Sequence, residues 1–458
     1  MKSKKATEKI TVELSAGVNP HAAGIDIGAT EIYVAVREDA EGKPIRSFTS
    51  FTDDLHRIGD WLLACGVTTV AMESTGVYWI PLYQVLESKG LEVYLVNARE
   101  VKNVPGRKTD VKDCQWLLTL HTHGLLRGSF HPEESIKALR AIHRHRDQLV
   151  QSGACFIQHI EKALSQMNIQ IHHVLSDITG VSGQAILDAI VSGQRDPKIL
   201  ATLRDPRVRA DQKTVERSLT GDWKSEHLFA LKQALEAYRF FQGKIIACDE
   251  ELRRLMNQLE SRTEPTQPLA PTTGKKKWGP KSGGALTELN WETQLHRIFG
   301  VNLLEVPGIS INTALVFLSE VGADLSSFAS EHHFGSWLRL APHNKISGGK
   351  ILSSQTCRNK SKLGLALRMA AQSLYHSKSE LGDVFRRLKA RLGAPKAITA
   401  MAYRLARILF VMISKKQNYD ANHSTKNEMK RLLKKQNWLQ KQLAEVSISL
   451  TQYQQVAN

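Results

Sequence analysis

Two aspartates stand three residues apart in GRKTDVKDCQ, residues 106 to 115, where Asp110 and Asp113 are interleaved with Lys108 and Lys112. Acids at i and i+3 of a helix share a face, and their like charges repel unless something positive sits between them. A divalent metal is one neutraliser. Carboxylate oxygens are the ligands Mg²⁺ prefers, and two such ions about 4 Å apart activate one oxygen and stabilise the leaving one in phosphodiester transfer. Lys108 and Lys112 would then face phosphates. The other reading is a solvated first turn in which both aspartates favour the helix dipole.

Two more acids end apolar strands: Asp26 in GIDIGAT, beside Gly28, and Glu73 in VAMESTG. Strand ends are where an open α/β sheet presents chemistry. Taken singly, either acid also fits a carboxylate capping a nearby helix, and the Asp-x-Gly-x-Thr loop equally suits an actin-like or sugar-kinase ATPase. A different chemistry is offered by ISGGK, where Ser347 precedes two glycines that permit a tight backbone approach. Lys345, Lys350, Arg358, Lys360 and Lys362 lie nearby in sequence to attract phosphate. A serine hydroxyl is a poor nucleophile without help. No Ser-His-Asp spacing is legible, and His343 fits a base, a phosphate ligand or neither, so the residues alone make Ser347 an ordinary loop serine.

The elements that must position these groups change character along the chain. Residues 20–130 alternate β-type runs (AAGIDIGATEIYVAV, VTTVAME, LEVYLVN) with helical ones (DLHRIGDWLLAC, WIPLYQVLESKG), which predicts an α/β domain with a mixed sheet. Residues 131–261 are helical: Leu139, Ile142, Leu149, Phe156, Ile160 and Met167 keep one seam. Leu231, Tyr238, Ile245, Leu252 and Leu259 recur every seven residues, with Ala234, Phe241, Cys248 and Leu255 offset by three. That heptad pattern fits a coiled coil, a long helical hairpin or a helix packed in a bundle. Residues 262–285, rich in Pro, Gly, Thr and Lys, read as a linker. A mostly α-helical unit over 286–414 follows, then a helical tail over 415–458 with a seam at Leu432, Leu439 and Val446.

The chain of 458 residues has 62 Lys and Arg against 45 Asp and Glu, a formal net charge of +17. Such an excess points to a polyanionic partner and away from small neutral metabolites. Five scattered cysteines without a CxxC pair argue against a disulfide framework or a thiolate zinc site. The apolar run 397–413 carries Arg404 and Arg407, which reads as an amphipathic or buried helix, and the N-terminus has no signal-like apolar core; a cytoplasmic protein with no membrane partner is expected. The paired histidines at 121/123, 143/145, 172/173 and 332/333 lack zinc spacing and are expected at the surface or facing nucleic acid. Arg144 and Arg146 in IHRHR read as a face for nucleic-acid backbone or a solvated helix face. Trp278 in GKKKWGPK is a candidate for stacking on a base.

Asp26 in GIDIG, Glu73 in AMESTGVYW and the pair in KTDVKD resemble the DEDD quartet of insertion-sequence transposases with a RuvC-like N-terminal domain, the bridge-RNA-guided recombinases. LLEVPGISINTALVFLSEVG and FGSWLRLAPHNKISGGK are similar to that family's second transposase domain. The resemblance implies an α/β RNase H-like (RuvC-like) first domain with a Mg²⁺ (or Mn²⁺) site built by Asp26, Glu73, Asp110 and Asp113. It also implies that Ser347 is a nucleophile forming a phosphoserine link to DNA in a site composed with the acids. The implied partners are target and donor DNA, a structured bridge RNA that pairs with both, and further copies of the chain in a dimer or tetramer. The stretch after the two glycines departs from the short Gly- and Lys-containing segment of the family. The rival expectations are a hydrolytic RuvC-like junction nuclease, an actin-like ATPase or sugar kinase, and a non-catalytic RNA-binding scaffold.

Overall fold

Period-two alternation of side chains between two covered faces organises the first sheet. Strands β1 (Ala22–Ile27), β2 (Glu31–Val36), β3 (Ile45–Thr49), β4 (Thr69–Glu73) and β5 (Glu92–Val96) lie in the order β3-β2-β1-β4-β5. The first three run antiparallel to their neighbours, and β1, β4 and β5 are parallel. In β1 the alternate residues Ala23, Ile25 and Ile27, with Val70 and Met72 of β4, enter one core. There they meet Leu55, Ile58 and Leu62 of α1 (Thr52–Ala64) and Leu82 and Leu86 of α2 (Trp79–Ser88). Each fully buried side chain of this kind contributes about 1.5–3 kcal/mol, so a one-residue slip, which would turn them all over, is strongly disfavoured. The intervening residues Gly24, Asp26, Thr69 and Glu73 face the other way, the side on which α3 (Asp110–Thr122) packs against β1, β2 and β4.

The computed structural model describes residues 17–39, 41–74, 76–96, 110–263, 290–356, 361–420, 433, 436–440 and 442–447, with backbone alone at 110–112. The chain divides into two compact units, Met1–His131 and Pro132–Asn458. The five-stranded mixed sheet of the first is consistent with the expected RNase H-like fold, and the remainder is mostly helical.

The second unit is organised by two long helices, α4 (Glu134–Gln166) and α9 (Ser225–Gln258). They pack antiparallel, with Arg146 against Asp249 and Phe156 stacked on Phe241 at a ring separation of 5.5 Å. Between them in sequence come α5 (Ile171–Val174), α6 (Val181–Val191), α7 (Pro197–Thr202) and α8 (Gln212–Ser218), which share a core with Ile160, Leu164, Leu235 and Tyr238. Asp196 and Asp211 cap α7 and α8 by accepting from backbone N–H groups two and three residues on. The heptad residues Leu231, Ala234, Tyr238, Ile245, Cys248 and Leu252 are buried, and α4 of the same chain packs along that helix.

Beyond residue 289 come α10 (Trp291–Phe299), α11 (Ile311–Val321), α12 (Glu331–Trp337), the hairpin β6 (Lys345–Ser347) and β7 (Lys350–Ser353), α13 (Lys362–Ser373), α14 (Glu380–Leu392) and α15 (Ala394–Lys415). Ser310, Ser330, Ser361 and Ser379 cap four of these helices, and α15 packs against α12, α13 and α14. Among the described residues α15 alone is long and apolar enough to cross a membrane, but half of its most apolar stretch is buried inside the unit, as in a core helix. The linker assigned to 262–285 lies outside the described residues apart from Arg262 and Thr263, and Trp278 falls with it.

Candidate active site

Two of the four acids are brought side by side by the sheet register, and a third lies on the helix that covers the same face. Ile25 pairs with Met72 in the parallel β1/β4 ladder, so Asp26 and Glu73, one residue further along, end neighbouring strands on the α3 face. Glu73 also pairs with Val96 of β5, and Ser74 extends that ladder by donating its backbone N–H and its Oγ–H to the Val96 carbonyl at 3.0 and 3.1 Å. Gly28 donates its N–H to the Glu31 carbonyl and closes the β1–β2 turn; a Cβ there would lie 2.7 Å from that oxygen. Gly28 is thus required by the hairpin itself.

Asp113 is brought to the same face by α3. This helix crosses β1 at Gly24, where an added Cβ would lie 2.3 Å from both the Cys114 carbonyl oxygen and the Leu118 nitrogen. Only a residue without a side chain lets the two backbones approach this closely. Cys114, next to Asp113, is fully buried; burial pushes its thiol up to about 11, and the charges of Asp26 and Asp113 add to the shift. Both carboxylates therefore act on one sulfur, which stays protonated. Any cation held here would be held by oxygen, a donor set that fits a hard divalent ion. Among the described residues no three His, Cys, Asp or Glu side chains converge into a metal-holding group, and the Asp110 side chain lies outside those described.

The far end of α3 is fixed by His121, whose ring nitrogen hydrogen-bonds Thr69 Oγ1 at 2.9 Å and whose ring lies 4.8 Å from that of Tyr94. His121 is 1 % exposed, and burial lowers its pKa. This corrects the expectation of a surface histidine. His143 is buried as well, 3.4 Å from Ser319 Oγ through Nδ1, because α4 lies against α11 there.

Ser347 occupies a different setting. It ends β6 opposite Lys350, and the two-residue turn between them has Gly348 at φ 54° and Gly349 at φ 74°. Two successive left-handed residues make the turn whose twist matches that of a hairpin, which explains the glycine pair. Ser347, Lys345 and Lys350 are exposed. Lys362, at the start of α13, is partly buried and donates to Asp147 at 2.8 Å. Lys108, Arg358 and Lys360, and the Lys112 side chain, lie outside the described residues.

The basic face expected at 142–146 is corrected for Arg146, which the packing of α4 turns inward, while Arg144 and His145 stay exposed. Arg146 is 2 % exposed and binds the fully buried Asp249 through Nε at 2.5 Å and through Nη2 at 3.4 Å. Arg144 grips both carboxylate oxygens of Glu320 at 3.0 and 2.7 Å, and Arg140 donates to the Ser319 and Glu320 carbonyls at the end of α11. These guanidinium groups hold helices together. The buried stripe of α4 runs through Leu139, His143, Arg146, Gly153 and Ile160, so the seam read through Ile142 and Leu149 was displaced by partners the sequence places over a hundred residues away.

A sheet of this order is consistent with the RNase H-like domain of DEDD-type DNA transposases. Residues 23–169 match the IS110 DEDD transposase domain, and residues 301–386 match the model described as Transposase IS116/IS110/IS902 family. The chain belongs to the IS110 family of insertion-sequence transposases. No protein of curated function matches it. Its substrates are therefore DNA, its activity is that of a transposase, and the DEDD domain points to dependence on a divalent metal. This assignment replaces the ATPase and scaffold readings.

Proposed function

We propose that this transposase exchanges DNA strands by means of a divalent ion, Mg²⁺ or Mn²⁺, held by Asp26, Glu73, Asp110 and Asp113, together with Ser347 as nucleophile. The observation that carries the reading is the pleat register: Asp26 and Glu73 end adjacent strands on the face covered by the helix of Asp113. When bound, the ion supplies positive charge to the scissile phosphate. Ser347 Oγ loses its proton and bonds to phosphorus as a deoxyribose hydroxyl leaves, so the phosphodiester energy is kept in a protein–DNA ester instead of being lost to water. Strand exchange reverses that bond. Exposed Lys345 and Lys350 sit beside Ser347 to meet phosphates, and Lys108, Lys112, Arg358, Lys360 and Lys362 are assigned the same role. Arg146 is left out because buried Asp249 holds it, whereas Arg144, half exposed beside Glu320, keeps the same assignment.

A structured guide RNA supplies sequence choice by pairing with target and donor DNA, while the protein reads RNA shape; the net charge of +17 supports a large polyanionic partner. Two DNAs need more than one copy of the chain. The tail, helical over 436–440 and 442–447, exposes Leu439, Leu443 and Val446 at the spacings of a helix-pairing seam, which supports a dimer or tetramer.

The test is amplification of excision junctions from cells carrying the gene with its flanking DNA, for wild type, Asp110→Asn, Asp113→Asn and Ser347→Ala. In parallel, labelled flank DNA is assayed for a covalent protein adduct. Loss of junctions in all three folded variants, with the adduct absent in Ser347→Ala, is expected. Junctions persisting in Ser347→Ala would turn the reading to a hydrolytic RuvC-like nuclease.

A further inference from the structure

The ribbon that carries Ser347 has no core of its own. Every residue from 342 to 352 is exposed, and Ile346 and Ile351, which pair across the two strands, are each 62 % exposed, with Leu352 at 70 %. Two-stranded ribbons are marginal in water, and cross-strand β-branched pairs elsewhere are normally covered. Ile346 and Ile351 point to the face opposite Ser347 and Lys350, because neighbours on a strand alternate. A catalytic turn would need only the serine, the glycines and the lysines, so the isoleucine pair is unexplained by the strand-transfer reading.

The charge around the ribbon says what covers it. From residue 332 to 379 there is no Asp or Glu, while eight Lys or Arg occur, Lys345 and Lys350 on the ribbon itself among them. An apolar pair in so long an acid-free stretch is complementary to a partner that is apolar between planes and anionic at its edges, which describes stacked bases flanked by phosphates. A two-stranded ribbon is of a width that a DNA groove admits. Residues along a strand rise about 3.3 Å, close to the axial rise of one DNA base step, so with the hairpin tip at an attacked phosphate the isoleucine face, opposite Ser347, meets the adjoining base step.

We propose that Ile346 and Ile351 form an apolar wedge that enters the DNA next to the scissile phosphate and unstacks one base step. The wedge opens the duplex where the strand is to be cut and exchanged. This rests on the strand-transfer reading above, since it takes Ser347 as the residue that meets the cleaved phosphate. Apolar insertion of this kind costs a few kcal/mol of stacking and is repaid by contact with the opened step.

The experiment uses the full chain with RNA transcribed from the gene's flank and duplexes of that flank carrying 2-aminopurine at successive steps. Ser347→Ala serves as the uncleaving background, and Ile346→Ser/Ile351→Ser is added to it. Both isoleucines are exposed, so folding should be unchanged, and circular dichroism checks this. The expected result is a several-fold rise in emission at one step with Ser347→Ala alone, lost in the triple variant while the bound fraction stays within two-fold. Equal emission from both proteins overturns the wedge, as does an altered oligomeric state in the triple variant with unchanged emission, which would assign the pair to a protein interface. Failure of the strand-transfer reading is separately visible as a covalent adduct that persists in Ser347→Ala.

Discussion

The acid face of the sheet and the Ser347 ribbon hold the groups proposed to react in opposite ways. Asp26, Glu73 and Asp113 sit on strands and a helix with many buried neighbours, Ile25, Met72, Cys114 and Leu117 among them, and a glycine contact and the His121–Thr69 hydrogen bond seat the helix. Ser347 sits at a tight turn of an exposed two-stranded arm. A cluster of like charges must be held by something stronger than its own repulsion, and core packing provides this before any ligand arrives. A nucleophile that must follow a strand through exchange gains from a mount that takes its final geometry from the DNA.

The largest effect that would break this contrast is chemical. Asp113→Asn should lower excision junctions at least about 100-fold, because several kcal/mol of charge stabilisation at phosphate is lost, with little change in thermal unfolding. An active Asp113→Asn protein would mean that the core-held acids are not the reactive ones. Next comes the seat of α3. Gly24→Ala places a methyl group against the Cys114 and Leu118 backbone and should destabilise the first unit by about 1–3 kcal/mol in urea unfolding, with junctions reduced as Asp113 shifts away from Asp26. An unchanged midpoint would show that the close approach is dispensable.

The ribbon should respond differently. Gly348→Ala forces a side chain into a left-handed turn at a local cost of about 1–2 kcal/mol. Because the arm has no core, global unfolding should be unmoved while junction yield falls; a lowered melting temperature would show that the arm is tied to the rest of its unit. The smallest effect is a pH dependence. His121 has its folded pKa lowered by burial, so the neutral ring is the one that folding favours. Its contribution is complete above the unfolded value of about 6.5 and is lost as pH falls below that value towards the folded pKa. Urea midpoints measured downward from pH 7 should fall less steeply in His121→Gln than in wild type.

Parts of this arrangement were legible in the order of residues. Strand alternation in AAGIDI and VTTVAME gave the sheet and the strand ends, and the same period-two pattern fixed which side of the sheet the acids face. The heptads of 231–255 announced a long packed helix, but not its partner: periodicity specifies a face, and a face accepts any complementary surface. Within the basic run at 142–146 the burial of Arg146 was not legible, because a charge looks exposed until its counter-charge is known, and Asp249 lies about a hundred residues further along. The close seat of α3 does have a local signal, Gly24, since a glycine inside an apolar strand is a sign of close backbone approach.

By itself, then, the sequence determined the elements, the acid quartet with its spacing, the glycine turn after Ser347 and the excess of positive charge. These are local or compositional properties, set by side-chain period, backbone freedom and counting. Only the tertiary structure decided that α3 lies on β1 closely enough for Asp113 and Asp26 to act on one thiol, that Arg146 and two histidines are internal, and that an isoleucine pair stands uncovered beside the serine. Each of these depends on which distant surface reaches a residue first, and burial and pairing energies settle that only when the whole chain is packed.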